Sequence, residues 1–208
     1  PHSLGTVVKS HEALLAEPFS VWPHLPDKVR HSSHYRRLKP APAAWILERQ
    51  EIEGPGVSRR QDAAVVVLLV LLAAGIYGQA VNFGFITLDD PIYVSKNANV
   101  AQGLTPAGVR WALTTMHTAM WQPLTWISHM LDVSLFGLRP GGHHLTNVVL
   151  HAANAALWYA AFLMMTGARW PAAALAALFV AHPLRVEAVA WVAERRELLA
   201  AFLVLLAM

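Results

Sequence analysis

The first long apolar run in the chain extends from Ala63 to Val81. It contains no charged side chain and one late amide, Gln79. As a helix the run would be about 28 Å long, close to the hydrocarbon core of a bilayer at about 30 Å. Arg59 and Arg60 precede it directly. Because basic residues favour the cytoplasmic side, the pattern predicts a first membrane span with a cytoplasmic N-terminal end.

A second apolar run, Leu145–Thr166, carries a polar stripe on one face. At roughly 100° per residue the polar side chains in and just before it share an arc of roughly 80°. They are His144, Asn147, His151 and Asn154. Polar groups on a membrane helix face a protein interior or a wet cavity. We expect these residues to line a cavity, where hydrogen bonding between helices and contact with a sugar or polyphosphate are both open.

A third apolar run is too short to cross a bilayer alone. Pro171–Ala181 falls well below the roughly 20 residues that a span needs. The span is therefore predicted to continue through His182 toward Trp191, and Leu198–Met208 opens a fourth. The fold predicted for the chain is all-α, an integral membrane helical bundle with about four transmembrane helices.

The segment between the first two spans, residues 82–142, is predicted to form the first outside loop. Thr105 before Pro106 is a helix-start signal, with threonine as the cap and proline at the first helical position. A second helix is predicted over Pro123–Phe136. Its apolar side chains share one face: Leu124, Ile127, Leu131 and Leu135. Both are expected to be interfacial helices at the membrane surface.

The first 60 residues lack a helical or strand period and are rich in proline, histidine, serine and charge. We expect residues 1–60 to be a disordered cytoplasmic tail and residues 61–208 to be the membrane domain. The chain begins at Pro1 rather than at methionine, which indicates an incomplete fragment of a longer protein. Whether residues 1–60 belong to that protein is left open.

Composition agrees with a membrane protein. Hydrophobic residues make up 55% of the 208 positions and charged residues 14%, against about 25% charged in soluble domains. The absence of cysteine excludes disulfides and thiolate metal sites. The net charge of +3 comes without a basic stripe interleaved with aromatics, so the bilayer and not nucleic acid is the expected partner.

Adjacent carboxylates at Asp89 and Asp90 follow the first span. They repel each other, and the low dielectric of the nearby bilayer adds to the cost of keeping both charged. Such pairs serve proton transfer or cation binding. The alternative is a solvated Asp-Asp-Pro turn. A divalent cation at this pair is left open, whereas His144 and His151 lie about 10 Å apart along a helix and predict no metal site.

Counting spans places a second polar group on the same outer side as the two aspartates. It consists of His182, Arg185, Glu187, Glu194 and Arg195. A carboxylate there could deprotonate an acceptor hydroxyl, and cations could hold a phosphate leaving group. This chemistry is direct displacement at an anomeric carbon with a carboxylate as general base. The chain has no Gly-rich phosphate loop, HExxH or Gly-x-Ser-x-Gly, which argues against nucleotide hydrolysis, zinc proteolysis and serine-esterase chemistry.

Four strings in the same order carry a family resemblance: FGFITLDDPIYVSKNANV, WQPLTWISHMLDVSLFG, GGHHLTNVVLHAANA and HPLRVEAVAWVAERRELLA. Over about residues 75–208 the chain resembles the N-terminal membrane region of transmembrane proteins with C-terminal tetratricopeptide repeats. That family is related to protein O-mannosyltransferases and belongs to the GT-C glycosyltransferase class. The resemblance implies a GT-C-like fold, a polyprenyl-phosphate-linked sugar as donor, with mannose the candidate sugar, and serine or threonine hydroxyls of an acceptor protein.

The resemblance also implies roles for individual residues. Asp89 and Asp90 match the family's acidic motif and are the expected catalytic residues. The residues that match or flank the second outside motif are expected to bind the donor phosphate: His182, Arg185, Glu187, Glu194 and Arg195.

Two other functions remain open, a non-catalytic membrane anchor for a repeat scaffold and a cation or proton transporter. The expected location is a bacterial inner membrane with the active site facing the periplasm. We expect the fragment alone to have no activity.

Overall fold

The computed structural model describes residues 59–208, and no strand occurs among them. The chain divides into two units, Pro1–Glu53 and Gly54–Met208, of which the fold of the second is described from Arg59 onward. The predicted disordered tail therefore lies, except for its last two residues, outside the described part of the chain. The predicted all-α membrane bundle is confirmed.

Between Arg59 and Met208 eight α-helices follow one another, joined by short 3₁₀ and π turns. The 3₁₀ turns are Gly78–Asn82, His117–Ala119 and Val192–Glu194, and the π turn is Pro91–Ser95. The α-helices are α1 (Arg59–Tyr77), α2 (Ala98–Ala101), α3 (Pro106–Thr114), α4 (Pro123–Phe136), α5 (Pro140–Thr166), α6 (Arg169–Ala181), α7 (Arg185–Ala190) and α8 (Arg195–Ala207).

Two segments of the described region are long and apolar enough to cross a membrane. They are α1 with its 3₁₀ extension, Arg59–Asn82, and α5, Pro140–Thr166. Both correspond to predicted spans. Helix α6 is apolar but has only 13 residues, about 20 Å of helix.

The third predicted span is not one continuous helix, which corrects the sequence expectation. Helix α6 ends at Ala181, and His182 adopts the extended conformation, with φ −66° and ψ 128°. The reason is Pro183, because proline disfavours the helical conformation of the residue before it and cannot donate the next helical hydrogen bond. The chain resumes in the short helix α7 and breaks again at Trp191.

Helix α5 is the centre of the bundle, in contact with α1, α4, α6, α7 and α8. Several alanines in its interface with α1 and α6 are completely buried: Ala73, Ala155, Ala172 and Ala176. Small side chains allow membrane helices to approach closely, and the packing then supplies the stabilisation that water cannot supply inside a bilayer.

The segment between α1 and α5, predicted to be the first outside loop, has a second core of its own. Trp126 of α4 is fully buried and stacks on Tyr93 with ring centroids 4.8 Å apart. Val192 and Ala193 join this core from the segment before α8. The Thr105 hydroxyl accepts a hydrogen bond from the Gly108 amide, 3.0 Å away, so the predicted cap of α3 is present.

Helix α4 buries polar side chains and exposes apolar ones. Leu124, Leu131 and Leu135 are 52%, 45% and 65% exposed. Its buried residues are Thr125, Trp126, His129, Met130 and Asp132. This arrangement suits a helix at a membrane surface, because the leucines can contact lipid while the polar groups pair within the protein.

Candidate functional site

Asp90 connects the segment between α1 and α5 to the segment before α8 through hydrogen bonds. Its side chain is fully buried, and its two oxygens accept hydrogen bonds from the backbone amides of Ile86 at 2.7 Å and Ala193 at 2.9 Å. Burial raises the pKa of Asp90 above its ordinary value, and the two amide donors partly oppose that rise. The hydrogen bond to Ala193 joins the acidic motif to the segment that carries Glu194, although 103 residues separate the bonded pair.

Asp89 occupies a different environment from its neighbour. Its side chain is half-buried, and its carboxylate has no hydrogen-bond partner among the described residues. Its backbone carbonyl accepts a hydrogen bond from the Tyr93 amide at 2.9 Å. Asp89 is therefore the member of the pair that can reach an incoming group. A cation shared by both aspartates would have to displace the amides that already occupy Asp90.

Glu194 directly follows Ala193, whose backbone amide donates to Asp90. Burial raises the pKa of Glu194, and the like charges of Glu197 and Glu187 add to the rise, while Arg196 opposes it. The guanidinium of Arg196 donates to Glu194 at 2.8 Å and is 36% exposed. Sequence reasoning did not select Arg196, although it follows directly on a selected residue.

The remaining members of the second polar group lie at the break between α6 and α7. His182 and Glu187 are exposed. The guanidinium of Arg185 lies 4.9 Å from the ring centroid of Phe179, in cation–π geometry. No hydrogen bond of the Arg185 guanidinium occurs among residues 59–208, so within that region its donors are open to a ligand.

Arg195, expected at the donor phosphate, lies in the protein core instead. Its guanidinium is completely buried and donates to the Asp132 carboxylate, to Asn147 Oδ1 at 2.8 Å and to the His143 carbonyl at 2.6 Å. A further contact reaches the Ser128 hydroxyl at 3.3 Å. A guanidinium with these partners links α4, α5 and α8, and this geometry does not support a role in phosphate binding.

The polar stripe of α5 is fully buried and bonds to backbone carbonyls of other segments. Asn147 donates to the carbonyls of Val189 at 3.3 Å and Trp191 at 3.0 Å. Asn154 donates to Leu198 O at 2.9 Å, and His151 Nε2 bonds to Val180 O at 3.4 Å. His144 Nε2 contacts Gly84 O at 3.4 Å.

Several of those carbonyls stand at helix ends, where they have no partner within their own helix. Val180 precedes the end of α6, and Val189 and Trp191 lie at the end of α7. The sequence left two roles open for the stripe, hydrogen bonding between helices and contact with a sugar or polyphosphate. These contacts are hydrogen bonds between helices. The breaks in the third predicted span can persist in a membrane because the α5 stripe satisfies the carbonyls that they release.

A second cluster of titratable groups, His129, Asp132 and His143, lies where α4 meets α5. Each can offer one ligand atom, and these atoms lie within 4.8 Å of one another. Burial holds the pKa of His129 well below its ordinary value, and the charge of Arg195 adds to the effect. Sequence reasoning missed this group. The available signal was the i, i+3 spacing of His129 and Asp132, which places both on one face of α4.

No protein-family model matches the chain, and no solved structure matches it. Curated relatives do match. The chain is 32% identical to the mouse protein O-mannosyl-transferase TMTC1 over 158 residues, which are 70% of this chain and 16% of that protein. It is 33% identical to the Drosophila melanogaster protein O-mannosyl-transferase Tmtc2 over 138 residues, 62% of this chain and 14% of that protein.

The Drosophila protein O-mannosyl-transferase Tmtc1 is 30% identical over 154 residues, 71% of this chain and 18% of that protein. The chain thus spans less than a fifth of the length of these relatives. They are animal proteins, so a bacterial inner membrane stays a prediction from the sequence. The matches, the two apolar helices of spanning length and the all-helical bundle agree with the resemblance carried by the four strings. The chain belongs to the TMTC family, which is related to the protein O-mannosyltransferases.

Proposed function

We propose that the protein containing this chain is a membrane glycosyltransferase of the GT-C class. It transfers a sugar, with mannose the candidate, from a polyprenyl-phosphate donor to serine or threonine hydroxyls of an acceptor protein on the outer face. The names of the relatives support O-mannosyl transfer. The observation that supports the proposal is the hydrogen bond from the Ala193 amide to Asp90, because it joins the acidic motif to the segment that carries Glu194.

In this proposal Asp89 is the general base. Its carboxylate takes the proton of the acceptor hydroxyl while the hydroxyl oxygen forms a bond to the anomeric carbon. The bond from that carbon to the phosphate oxygen breaks, and the polyprenyl phosphate leaves with the electron pair. A positioned base contributes about 10²–10⁴ in rate. Asp90 is a positioning residue, because both of its oxygens are engaged by backbone amides.

The donor phosphate would be bound by cations at the same outer mouth. Arg185 and Arg196 have guanidinium groups that are not fully buried, and His182 is exposed. Arginine suits this role because its planar fork matches phosphate oxygens. Glu187 and Glu194 would orient these cations or the acceptor hydroxyl. Arg195, included in this group on the sequence, is left out of the proposal because its donors are used in the core.

The alternative is a non-catalytic membrane anchor, which needs apolar spans alone. An anchor gives no reason for a half-buried Asp89 beside a buried Asp90, or for a Glu194 whose pKa is raised. The transporter hypothesis has less support, because the α5 stripe is occupied by hydrogen bonds to backbone carbonyls.

The test is transfer by the full-length protein reconstituted in proteoliposomes. The donor is polyprenyl-phosphate mannose with a labelled sugar, and the acceptor is a peptide rich in serine and threonine. We expect the peptide to become labelled and β-elimination to release that label. No label should reach the peptide when a nucleotide-linked mannose replaces the lipid-linked donor. If the folded protein neither transferred sugar nor bound the donor, the membrane anchor would be the better explanation.

A further inference from the structure

The group His129, Asp132 and His143 lies away from the proposed transfer site and has no part in it. His129 and Asp132 stand one helical turn apart on α4, and His143 stands in the first turn of α5. All three side chains are buried, with relative exposures of 0%, 2% and 0%. Their ligand atoms lie within 4.8 Å of one another, a spacing that one metal ion can bridge.

The hydrogen bond of His143 defines its tautomer. Its Nε2 lies 3.2 Å from the Gly137 carbonyl, which can only accept, so Nε2 carries the proton. In a neutral ring Nδ1 is then unprotonated and carries a lone pair. This atom lies 3.4 Å from Asp132 Oδ2. A lone pair facing a carboxylate is unfavourable unless a cation or a proton lies between them. Metal-bound histidines commonly donate their other ring N–H to a backbone carbonyl, as His143 does.

His129 adds an independent observation. It is completely buried, and neither of its ring nitrogens has a hydrogen-bond partner among the described residues. A buried polar group without a partner costs about 1–3 kcal/mol. Its ring centroid lies 6.2 Å from that of His143 and 6.2 Å from that of Tyr93. His129 is thus a free imidazole ligand beside a carboxylate and a second imidazole.

Asp132 is held in place as a ligating carboxylate would be. Its Oδ1 accepts a hydrogen bond from the Thr146 hydroxyl at 2.7 Å, and its Oδ2 contacts Arg195. Hydrogen bonds from neighbouring side chains to a ligating carboxylate orient it toward the metal. The guanidinium also brings a positive charge, which opposes a divalent ion. We therefore expect weaker affinity than in a zinc site without a neighbouring cation.

We propose that His129, Asp132 and His143 bind one zinc ion that fastens the loop helix α4 to α5. Two imidazole nitrogens and one carboxylate oxygen are a ligand set that zinc accepts, with one further position for water. Only Gly137, Leu138 and Arg139 separate the two helices along the chain, so a metal bridge would fix the angle between them. The proposal does not depend on sugar transfer, and neither outcome of the transfer assay decides it.

The test is zinc binding by the full-length protein in detergent, after removal of metal with a chelator. Zinc alone is titrated against a chromophoric competitor, and metal content is measured by mass spectrometry. The variants are His129→Gln and His143→Gln. His151→Gln is the matched control, since His151 is equally buried and bonds to a carbonyl but belongs to no group of metal-ligand spacing within the described region.

We expect one zinc per chain in the wild type and in His151→Gln, and affinity at least about tenfold lower in both ligand variants. X-ray absorption of the zinc-loaded wild type should show two imidazole nitrogens, one carboxylate oxygen and one water oxygen at about 2.0–2.2 Å, which does not require any variant to fold. Absence of zinc from the folded wild type would overturn the proposal, with a proton on His143 then compensating Asp132. Equal zinc affinity in wild type and a folded His129→Gln would overturn it as well.

Discussion

At the scale of single residues, two ion pairs among residues 59–208 differ in burial. Asp132 and Arg195 expose 3% and 0% of their side chains. Asp62 and Arg169 expose 18% and 8%, and Asp62 also accepts from the Tyr159 hydroxyl at 2.7 Å. Removing one partner of a deeply buried pair leaves a charge that water cannot reach. The two pairs should therefore respond differently to the same substitution.

We expect Asp132→Asn to lower the free energy of unfolding by about 3–5 kcal/mol, because Arg195 would remain buried without its counter-ion. Asp62→Asn, the matched control, should cost less, because the Asp62–Arg169 pair is more exposed than the Asp132–Arg195 pair. The measurement is denaturant-induced unfolding in detergent micelles. Equal losses for the two variants would contradict the assignment of Arg195 to the core.

Sequence reasoning found the polar residues but not the direction in which each points. Asp89 and Asp90 are identical in type and adjacent, yet the fold buries one and leaves the other accessible. What separates them is a hydrogen bond from Ala193, 103 positions away. Arg195 and Arg196 show the same limit, since the core partner of Arg195 is Asp132, in another helix. A local pattern carries no information about such distant partners.

At the scale of elements, the start of α5 packs closely on its surroundings. A Cβ on Gly141 would overlap the carbonyl oxygen of Val81, and a Cβ on Gly142 would overlap the Phe136 ring. Glycine therefore allows the 3₁₀ turn Gly78–Asn82 and α4 to approach the start of α5 closely. The boundaries of α4 were predictable because proline at the start and glycine after the end are strong signals. The π turn Pro91–Ser95 has no such signal, and it was not predicted.

We expect Gly141→Ala to destabilise the protein by about 1–3 kcal/mol, because the backbone of Val81 cannot move aside easily. The control is Gly75→Ala, in the last turn of α1, where a Cβ meets nothing within 4 Å. There alanine should be neutral or stabilising by up to about 1 kcal/mol. Thermal unfolding of both variants in one detergent compares them. Similar melting temperatures would show that the close approach at Gly141 is absent.

At the scale of the whole molecule, the account requires the first outside loop and the start of α8 to face the same side of the membrane. The lengths of the two apolar runs predicted α1 and α5, because the run of apolar residues that a membrane span needs can be read directly from the sequence. The same reasoning treated His182 and Pro183 as part of one span, and the structure ends α6 before them. The carbonyls released there bond to α5 and to Tyr77, whose hydroxyl donates to Val180 O at 3.1 Å, a compensation that only the folded bundle reveals.

Sidedness can be tested with single cysteines, because the chain has none of its own. We expect Lys96→Cys and Glu197→Cys to react with an impermeant thiol reagent from the outer side. Thr166→Cys, at the end of α5, should react only after the membrane is opened. All three positions are exposed, so burial does not mask them. Labelling of Lys96→Cys and Glu197→Cys from opposite sides would exclude a shared outer mouth.

The most direct test of the proposed chemistry compares Asp89→Asn with Asp90→Asn in the full-length protein, with sugar transfer and unfolding measured on the same preparations. Asparagine keeps the shape of aspartate but cannot accept a proton at neutral pH. Asp89→Asn should lower transfer by about 10²–10⁴ and leave stability within about 0.5 kcal/mol. Asp90→Asn should instead cost about 1–3 kcal/mol, because its amide group cannot accept from both Ile86 and Ala193. Transfer at the wild-type rate by a folded Asp89→Asn would contradict the account.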